Sequence, residues 1–338
     1  MAADDLPFAL IARPPADPAQ HRPLGPQQLL AQRRLPEFLA SHQHAALRYQ
    51  PSDPLLLAIN MALHTGSPLL LTGEPGTGKT QAADFVGAFF GIPVYRFLVK
   101  STSTAQDLLY EFDAVGYLHW AQAARHQSTP ALLPDAITEE TQAVRQGFLH
   151  QRALWQAYDT EGDAVVLIDE IDKAPRDFPN DLLHELDQHS FPHPFALHQM
   201  VRPASGRPPI VLITSNEERR LPDAFLRRCI FHRIELTETL VAAAVESMAH
   251  AGTGDGETGQ AAFPNLTPEA RQAARTRFWE IRDLPGIDKK PSTAELLTWL
   301  CVLSALRVTA ERLMQGSLRE LPGIAVLIKD YGDLQRLG

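Results

Sequence analysis

Residues 69–85 read LLLTGEPGTGKTQAADF. An apolar run, Leu69-Leu70-Leu71-Thr72, stops at a glycine-rich turn, and a helical pattern restarts at Lys79-Thr80. The turn Gly73-Glu74-Pro75-Gly76-Thr77-Gly78-Lys79-Thr80 fits G-x-x-x-x-G-K-[ST] in full. Its glycines let the backbone curl so that consecutive N–H groups point inward, and the next helix adds its positive end. Such a turn is built for phosphate. Gly73 through Thr80, with Gln81 behind them, are the expected nucleotide cradle. Lys79 is expected to reach the β- and γ-phosphates of ATP, and the Thr80 hydroxyl to ligate Mg²⁺.

Composition narrows what such a turn serves. The chain has 338 residues, 44% of them hydrophobic, enough for a sizeable core and two domains. Its net charge of −9 argues against nucleic acid as a main, non-specific partner, though not against a local basic groove. Cys229 and Cys301 are the only two cysteines, so no disulfide framework is expected and a cytoplasmic setting fits. The opening MAADDLPFALIARPP has no basic start and no long apolar core, unlike a signal peptide. No run approaches ~18 apolar residues, so neither a transmembrane helix nor a membrane partner is expected.

Along the chain, residues 1–45 are rich in Pro, Gln and Ala and read as an irregular arm with one helix near 26–41. Residues 46–236 alternate short apolar runs with helical patterns, which predicts an α/β domain with a parallel sheet. The runs are 68–73, 93–100, 164–170 and 209–216, with FHRIEL (231–236) as a last strand. Their Leu and β-branched content suits strands buried on both faces. Residues 237–338 read as a helical domain. Helices are expected over 239–251, over 267–283 with Thr267 as N-cap, and over 292–308 with a Ser292/Glu295 capping box. A flexible loop is expected at 251–260 and one more short helix after Pro322.

Three further stretches carry chemistry. In Val165-Val166-Leu167-Ile168-Asp169-Glu170-Ile171-Asp172 two acids follow a buried strand. Ligands of open parallel sheets bind at the strands' carboxyl ends. Asp169 is therefore expected in the Mg²⁺ shell, and Glu170 is expected to orient and polarise an attacking water. Thr214-Ser215-Asn216 ends the next run, and the Asn216 amide can bond that water or the γ-phosphate as donor and acceptor. Arg227 and Arg228 follow an apolar helix. Paired arginines there form either a solvated face or an arginine finger supplied to a neighbour's nucleotide. His184, His189, His193 and His198 cluster, but HELDQH spaces its histidines five apart and misses the zinc-protease pattern. Cys229 is expected to be packed, without a nucleophile's role.

The segments GEPGTGKT, VVLIDEID and TSNEERRLPDAFLRRC, in this order before a helical region, resemble the AAA+ ATPases over about 47–338. The third segment is most similar to the MoxR group, also placed with the dynein-related AAA domains. The resemblance implies a P-loop α/β domain, a small helical lid, ATP with Mg²⁺, and a homo-oligomeric ring, typically a hexamer, with nucleotide between protomers. It assigns sensor 1 to Asn216 and the arginine finger to Arg228, with Arg227 as runner-up. The sensor-2 arginine has no counterpart in Lys289-Lys290-Pro291-Ser292-Thr293-Ala294, where Lys290 is the candidate substitute. A lysine is a point charge and cannot fork onto phosphate. The resemblance also puts a pore-facing insert at 101–150, where Tyr110, Phe112, Tyr117 and Trp120 serve either client contact or ordinary packing. It implies ATP-driven remodelling or maturation of a protein partner, beside a von Willebrand A domain protein. The alternative is a nucleotide-gated switch or scaffold in a bacterial defence system.

Overall fold

The computed structural model describes residues 46, 48–126, 144, 146–196, 199–249 and 261–337. The arm expected at 1–45, the loop at 251–260 and His198 lie outside the described residues, as do residues 127–143 of the expected insert.

Nine strands form among the described residues: β1 (Leu69–Thr72), β2 (Val94–Leu98), β3 (Tyr110–Phe112), β4 (Leu149–Gln151), β5 (Val165–Asp169), β6 (Phe191–Pro192), β7 (Met200–Val201), β8 (Ile210–Ser215) and β9 (Ile230–Arg233). Five of them make one sheet in the order β2-β5-β8-β1-β9, parallel at every pairing. Chain order does not follow spatial order, so each link crosses over through a helix, as parallel pairs require. The chain leaves β1 towards β2 on one side, and β9 closes the sheet on the other. That makes the carboxyl end of β1 a switch point, where ligands of such sheets bind.

Burial follows position in the sheet. All four residues of β1 are buried, as are Val165–Ile168 of β5 and the last five of β8. The expectation of burial on both faces fails at the edges. Leu98 of β2 is 56% exposed and Phe231 of β9 is 57% exposed, because an edge strand has a neighbour on one side only. The last strand is also shorter than FHRIEL, ending at Arg233.

The helix Asp53–Thr65 leads into β1. Ser52 caps its start by accepting the Leu55 N–H, and Gly66, at φ 69°, ends it in the left-handed region. Helices Lys79–Phe90, Ala153–Asp159 and Phe178–Gln188 complete the layer around the sheet. Leu70, Val166, Ile168, Ile213, Trp155, Tyr158, Phe178 and Phe225 share its main core. After β2, the helices Ala105–Leu109 and Ala114–His126 flank β3, which pairs antiparallel with β4. There Tyr110 meets Trp155, and Phe112, Tyr117 and Trp120 pack in a chain of ring contacts with Phe148 and Phe195. All four remain half-buried. Between the acidic strand and β8 the chain forms the helix Phe178–Gln188 followed by the antiparallel hairpin of β6 and β7.

The chain divides into two compact units. One holds Pro51–Glu74 and Gly78–Ile234. The other holds the described residues before Pro51, the turn residues Pro75–Thr77, and Glu235 onward. In the second unit, helices Glu238–Ala249, Pro268–Asp283 and Thr293–Ala305 gather around Phe278, Trp299, Leu300 and Leu303. Thr267 caps the second of them by accepting the Ala270 N–H, and Ser292 with Glu295 forms the expected capping box at the third. The tail adds single turns and the helix Tyr331–Arg336. Trp299 is fully buried and its indole N–H donates to the Pro322 carbonyl at 2.7 Å. Trp299→Ala is expected to destabilise this unit by about 3–5 kcal/mol. Denaturant titration checks it, since the helical unit's transition should move to lower denaturant. No helix among the described residues is long and apolar enough to cross a membrane.

Candidate functional site

The turn after β1 needs unusual backbone. Gly73, Gly76 and Gly78 have φ of 140°, 77° and 90°, a region where side-chain-bearing residues are strained. Gly78 starts the helix Lys79–Phe90 with no side-chain cap and no acid in its first turn, so nothing local offsets the positive end. Lys79 is only 6% exposed, and its Nζ donates to the carbonyls of Gly73 at 2.8 Å and Glu74 at 2.9 Å. Burial pulls its pKa below the usual lysine value. Asp172, Asp169, Glu217 and Glu170 act in the opposite sense. The Lys79 cation is therefore held against the carbonyls of its own turn and is subject to the charge of four acids.

The acids arrive from β5. The β5–β8 register pairs Leu167 with Leu212 and Ile168 with Ile213, so Asp169 and Thr214 come next to each other. The Thr214 hydroxyl donates to Asp169 Oδ1 at 2.5 Å and accepts the Glu170 N–H at 2.9 Å. Thr80 Oγ1 lies 3.0 Å and 3.3 Å from the two Asp169 oxygens and donates to them. Glu170 itself sits at φ 61°, a left-handed conformation that costs a non-glycine residue about 1–3 kcal/mol. The Thr214 bond helps hold it there. Its carboxylate accepts from Lys173 Nζ at 2.6 Å and from Asn216 Nδ2 at 3.4 Å. The hydrogen bond to Glu170 holds the Lys173 ammonium above its usual pKa.

Lys79, Thr80, Asp169, Glu170 and Asn216, far apart in sequence, thus stand together at the carboxyl ends of β1, β5 and β8. Chemically, they combine an anion-binding turn with a hydroxyl–carboxylate oxygen pair and a carboxylate–amide pair. The two arginines stand apart from this group. Arg227 and Arg228 follow the short helix Asp223–Leu226 and are exposed. Arg228 donates through Nε to Asp187 at 2.7 Å and through Nη1 to the Ala224 carbonyl at 2.9 Å. Arg227 makes no ion pair or side-chain hydrogen bond among the described residues. In the helical unit Lys290 is exposed, while the backbone N–H groups of Asp288 and Lys289 donate to the buried Asp333, each at 3.0 Å. Those two bonds hold the Asp333 carboxyl below its usual pKa.

Sequence reasoning passed over four of these partners. Thr214 lies in a run read only for Asn216, and its bridging role follows from the β5–β8 register. Asp172 is quoted with the acidic strand, but nothing local reveals what it binds. Lys173 is three residues from Glu170, a helical-turn spacing that pairs opposite charges and is legible in advance. Asp187 is 41 residues from Arg228 and leaves no local signal. Cys229 is packed as expected, with burial pushing its thiol up to about 12. His193 Nδ1 accepts the N–H groups of Phe195 and Ala196, so this ring fixes its own turn.

Comparison with known proteins bears on the family. The family model for the ATPase family associated with various cellular activities (AAA) matches residues 69–238, which run from β1 to the start of the helix after β9. No curated protein matches the sequence. Among solved structures, one similar chain is described as a "putative ATPase" from Cytophaga hutchinsonii. It is 13% identical, with 80% of this chain and 79% of that chain covered and a TM-score of 0.39. The family match spans half of the sequence and contains the phosphate turn, the acidic strand end and the Asn216 loop: the chain belongs to the AAA family of ATPases.

Proposed function

We propose that this protein binds Mg·ATP at the carboxyl end of β1 and hydrolyses it, as an AAA+ module of the MoxR type that remodels or matures a protein partner. The observation that carries the reading is the meeting of Lys79 with the Asp169–Thr80 and Glu170–Asn216 pairs at one end of the sheet. In this reading the turn Gly73–Thr80 wraps the phosphates with its N–H groups, and Lys79 moves its donors from its own loop carbonyls to phosphate oxygens. The donor set suits magnesium. Thr80 Oγ1 and Asp169 supply hard oxygens, and such ions are commonly held by one or two carboxylates together with phosphates. Bound there, Mg²⁺ would supply charge neutralisation for the phosphates. Glu170 takes the role of positioning and polarising the water, with Asn216 as the sensor beside it.

The MoxR assignment rests on TSNEERRLPDAFLRRC and remains a resemblance, as do the hexameric ring, the arginine finger and the von Willebrand A domain partner.

Lys79→Ala tests the site itself. Charge-assisted hydrogen bonds are worth about 1.5–3 kcal/mol, so ATP affinity should fall roughly ten- to hundredfold. Titration with labelled ATP reads it, alongside a thermal melt that should stay near the parent's. Unchanged affinity would move the nucleotide elsewhere.

A further inference from the structure

Asp172 is only 2% exposed, yet it is not among the groups that the proposed reaction uses. It sits in the single turn Ile171–Lys173 directly after Glu170. Its Oδ2 accepts two backbone N–H groups, from Asn216 at 3.1 Å and from Glu218 at 3.0 Å. Its Oδ1 is buried with no hydrogen-bond partner. Between those two donors Glu217 takes φ 61°, and its own N–H turns back to Ser215 Oγ at 3.1 Å. The loop after β8 is therefore curled around one carboxylate oxygen.

A half-satisfied buried carboxylate is costly, and an apolar residue would avoid the cost. Part of what offsets it is the Lys79 cation, on which Asp172 acts most strongly of the four acids, and the rest is geometric. The backbone that Asp172 grips is the one from which the Asn216 amide reaches Glu170 Oε1. The same turn carries Lys173, which holds the other Glu170 oxygen. One turn thus fixes the acid through Lys173 and the amide through Asp172. We propose that Asp172 is a positioning residue for hydrolysis, acting through Asn216: it sets the loop so that the amide and the Glu170 carboxylate stay within reach of one water. The inference rests on the hydrolytic reading above and adds to it a group that acts through the loop it holds.

The test uses the full chain and two readouts. The first is amide hydrogen exchange without nucleotide. The Asn216 and Glu218 N–H groups should be protected in the parent, lose protection about tenfold or more in Asp172→Ala, and keep most of it in Asp172→Asn, which retains an acceptor. Equal protection in the parent and Asp172→Ala overturns the proposal. The second is steady-state hydrolysis. Asp172→Ala should lower kcat by about tenfold or more while the Kd for Mg·ATP stays within about threefold, and Asp172→Asn should recover most of the rate. In an Asn216→Ala background, Asp172→Ala should add little, as expected for residues acting as one unit. A loss that appears in Kd, or that adds in full to the Asn216→Ala loss, overturns the proposal, because Asp172 would then act through Lys79 or alone. Should Asp172→Ala not fold, Asp172→Glu displaces the carboxylate by one methylene and is read in the same way. A parent protein with no ATPase activity would sink the hydrolytic reading instead, and the positioning proposal with it if protection is also unchanged. Lost protection in that case would keep the Asp172–loop link and remove only its catalytic consequence.

Discussion

Glu170→Gln is expected to bind Mg·ATP as the parent does and to lose hydrolysis by roughly 10²–10⁴-fold, the usual worth of a positioned general base. The substitution keeps shape and size. The left-handed backbone at this position is held from outside by the Thr214 hydroxyl on the Glu170 N–H, so it does not depend on the carboxylate. What disappears is the charge that Lys173 and Asn216 orient and that a water would face. The binding groups keep their hydrogen bonds, since Lys79 and Thr80 make none to Glu170, and Glu170 is the weakest of the four acids whose charge acts on Lys79. With binding kept and turnover gone, the nucleotide-bound assembly should also persist longer, which sizing in the presence of ATP reads. A variant that turns over ATP at the parent rate would remove Glu170 from the chemistry.

Arg228→Ala should bind ATP nearly as well as the parent but hydrolyse it about 10³–10⁵-fold more slowly, the range found for arginine fingers. The proposal is that Arg228 meets the γ-phosphate of the neighbouring protomer. In the structure its Nε is clamped by Asp187 and its Nη1 by the Ala224 carbonyl, a geometry that fixes the direction of the fork. Mixing is the decisive form. Arg228→Ala protomers keep an intact nucleotide turn and acid but supply no finger. Glu170→Gln protomers supply the finger but cannot polarise water. Where a Glu170→Gln protomer presents Arg228 to an Arg228→Ala site, that site is complete, so two inactive proteins should recover part of the activity together. No recovery despite proven co-assembly would dismiss Arg228, and the same mixture with Arg227→Ala is the next measurement. Arg227 is exposed and without an ion-pair partner among the described residues, which suits a residue waiting for a neighbour. Specific activity that stays constant down to monomer concentrations would reject shared sites altogether. Binding with concentration-dependent assembly but no turnover would favour the switch or scaffold reading over the ATPase.

Much of this protein is legible in its sequence because the decisive information is local. G-x-x-x-x-G-K-[ST] encodes its own backbone: the glycines permit positive φ, and the lysine follows at the helix start. The acidic strand end is equally self-contained, since an apolar run that stops at Asp169-Glu170 places both acids at the sheet's carboxyl edge. The capping residues Thr267 and Ser292 act within one helical turn of their own helices. Burial of β2 and β9 was not legible, because a strand's run of apolar residues does not say whether one neighbour or two will flank it.

What the sequence by itself determined was a glycine-rich turn between strand and helix, an acidic strand end and the α/β class that joins them. Only the tertiary structure decided which side chains those groups hold. The register of β5 on β8 makes Thr214 the bridge between Asp169 and the Glu170 backbone. The path of the loop after β8 delivers the Asn216 and Glu218 N–H groups to Asp172, 44 and 46 residues away. The end of Phe178–Gln188 brings Asp187 to Arg228. Each of these contacts joins residues whose spacing carries no period, and a hydrogen bond of about 3 Å tolerates no error in strand register, since a slip of one residue turns every side chain to the other face.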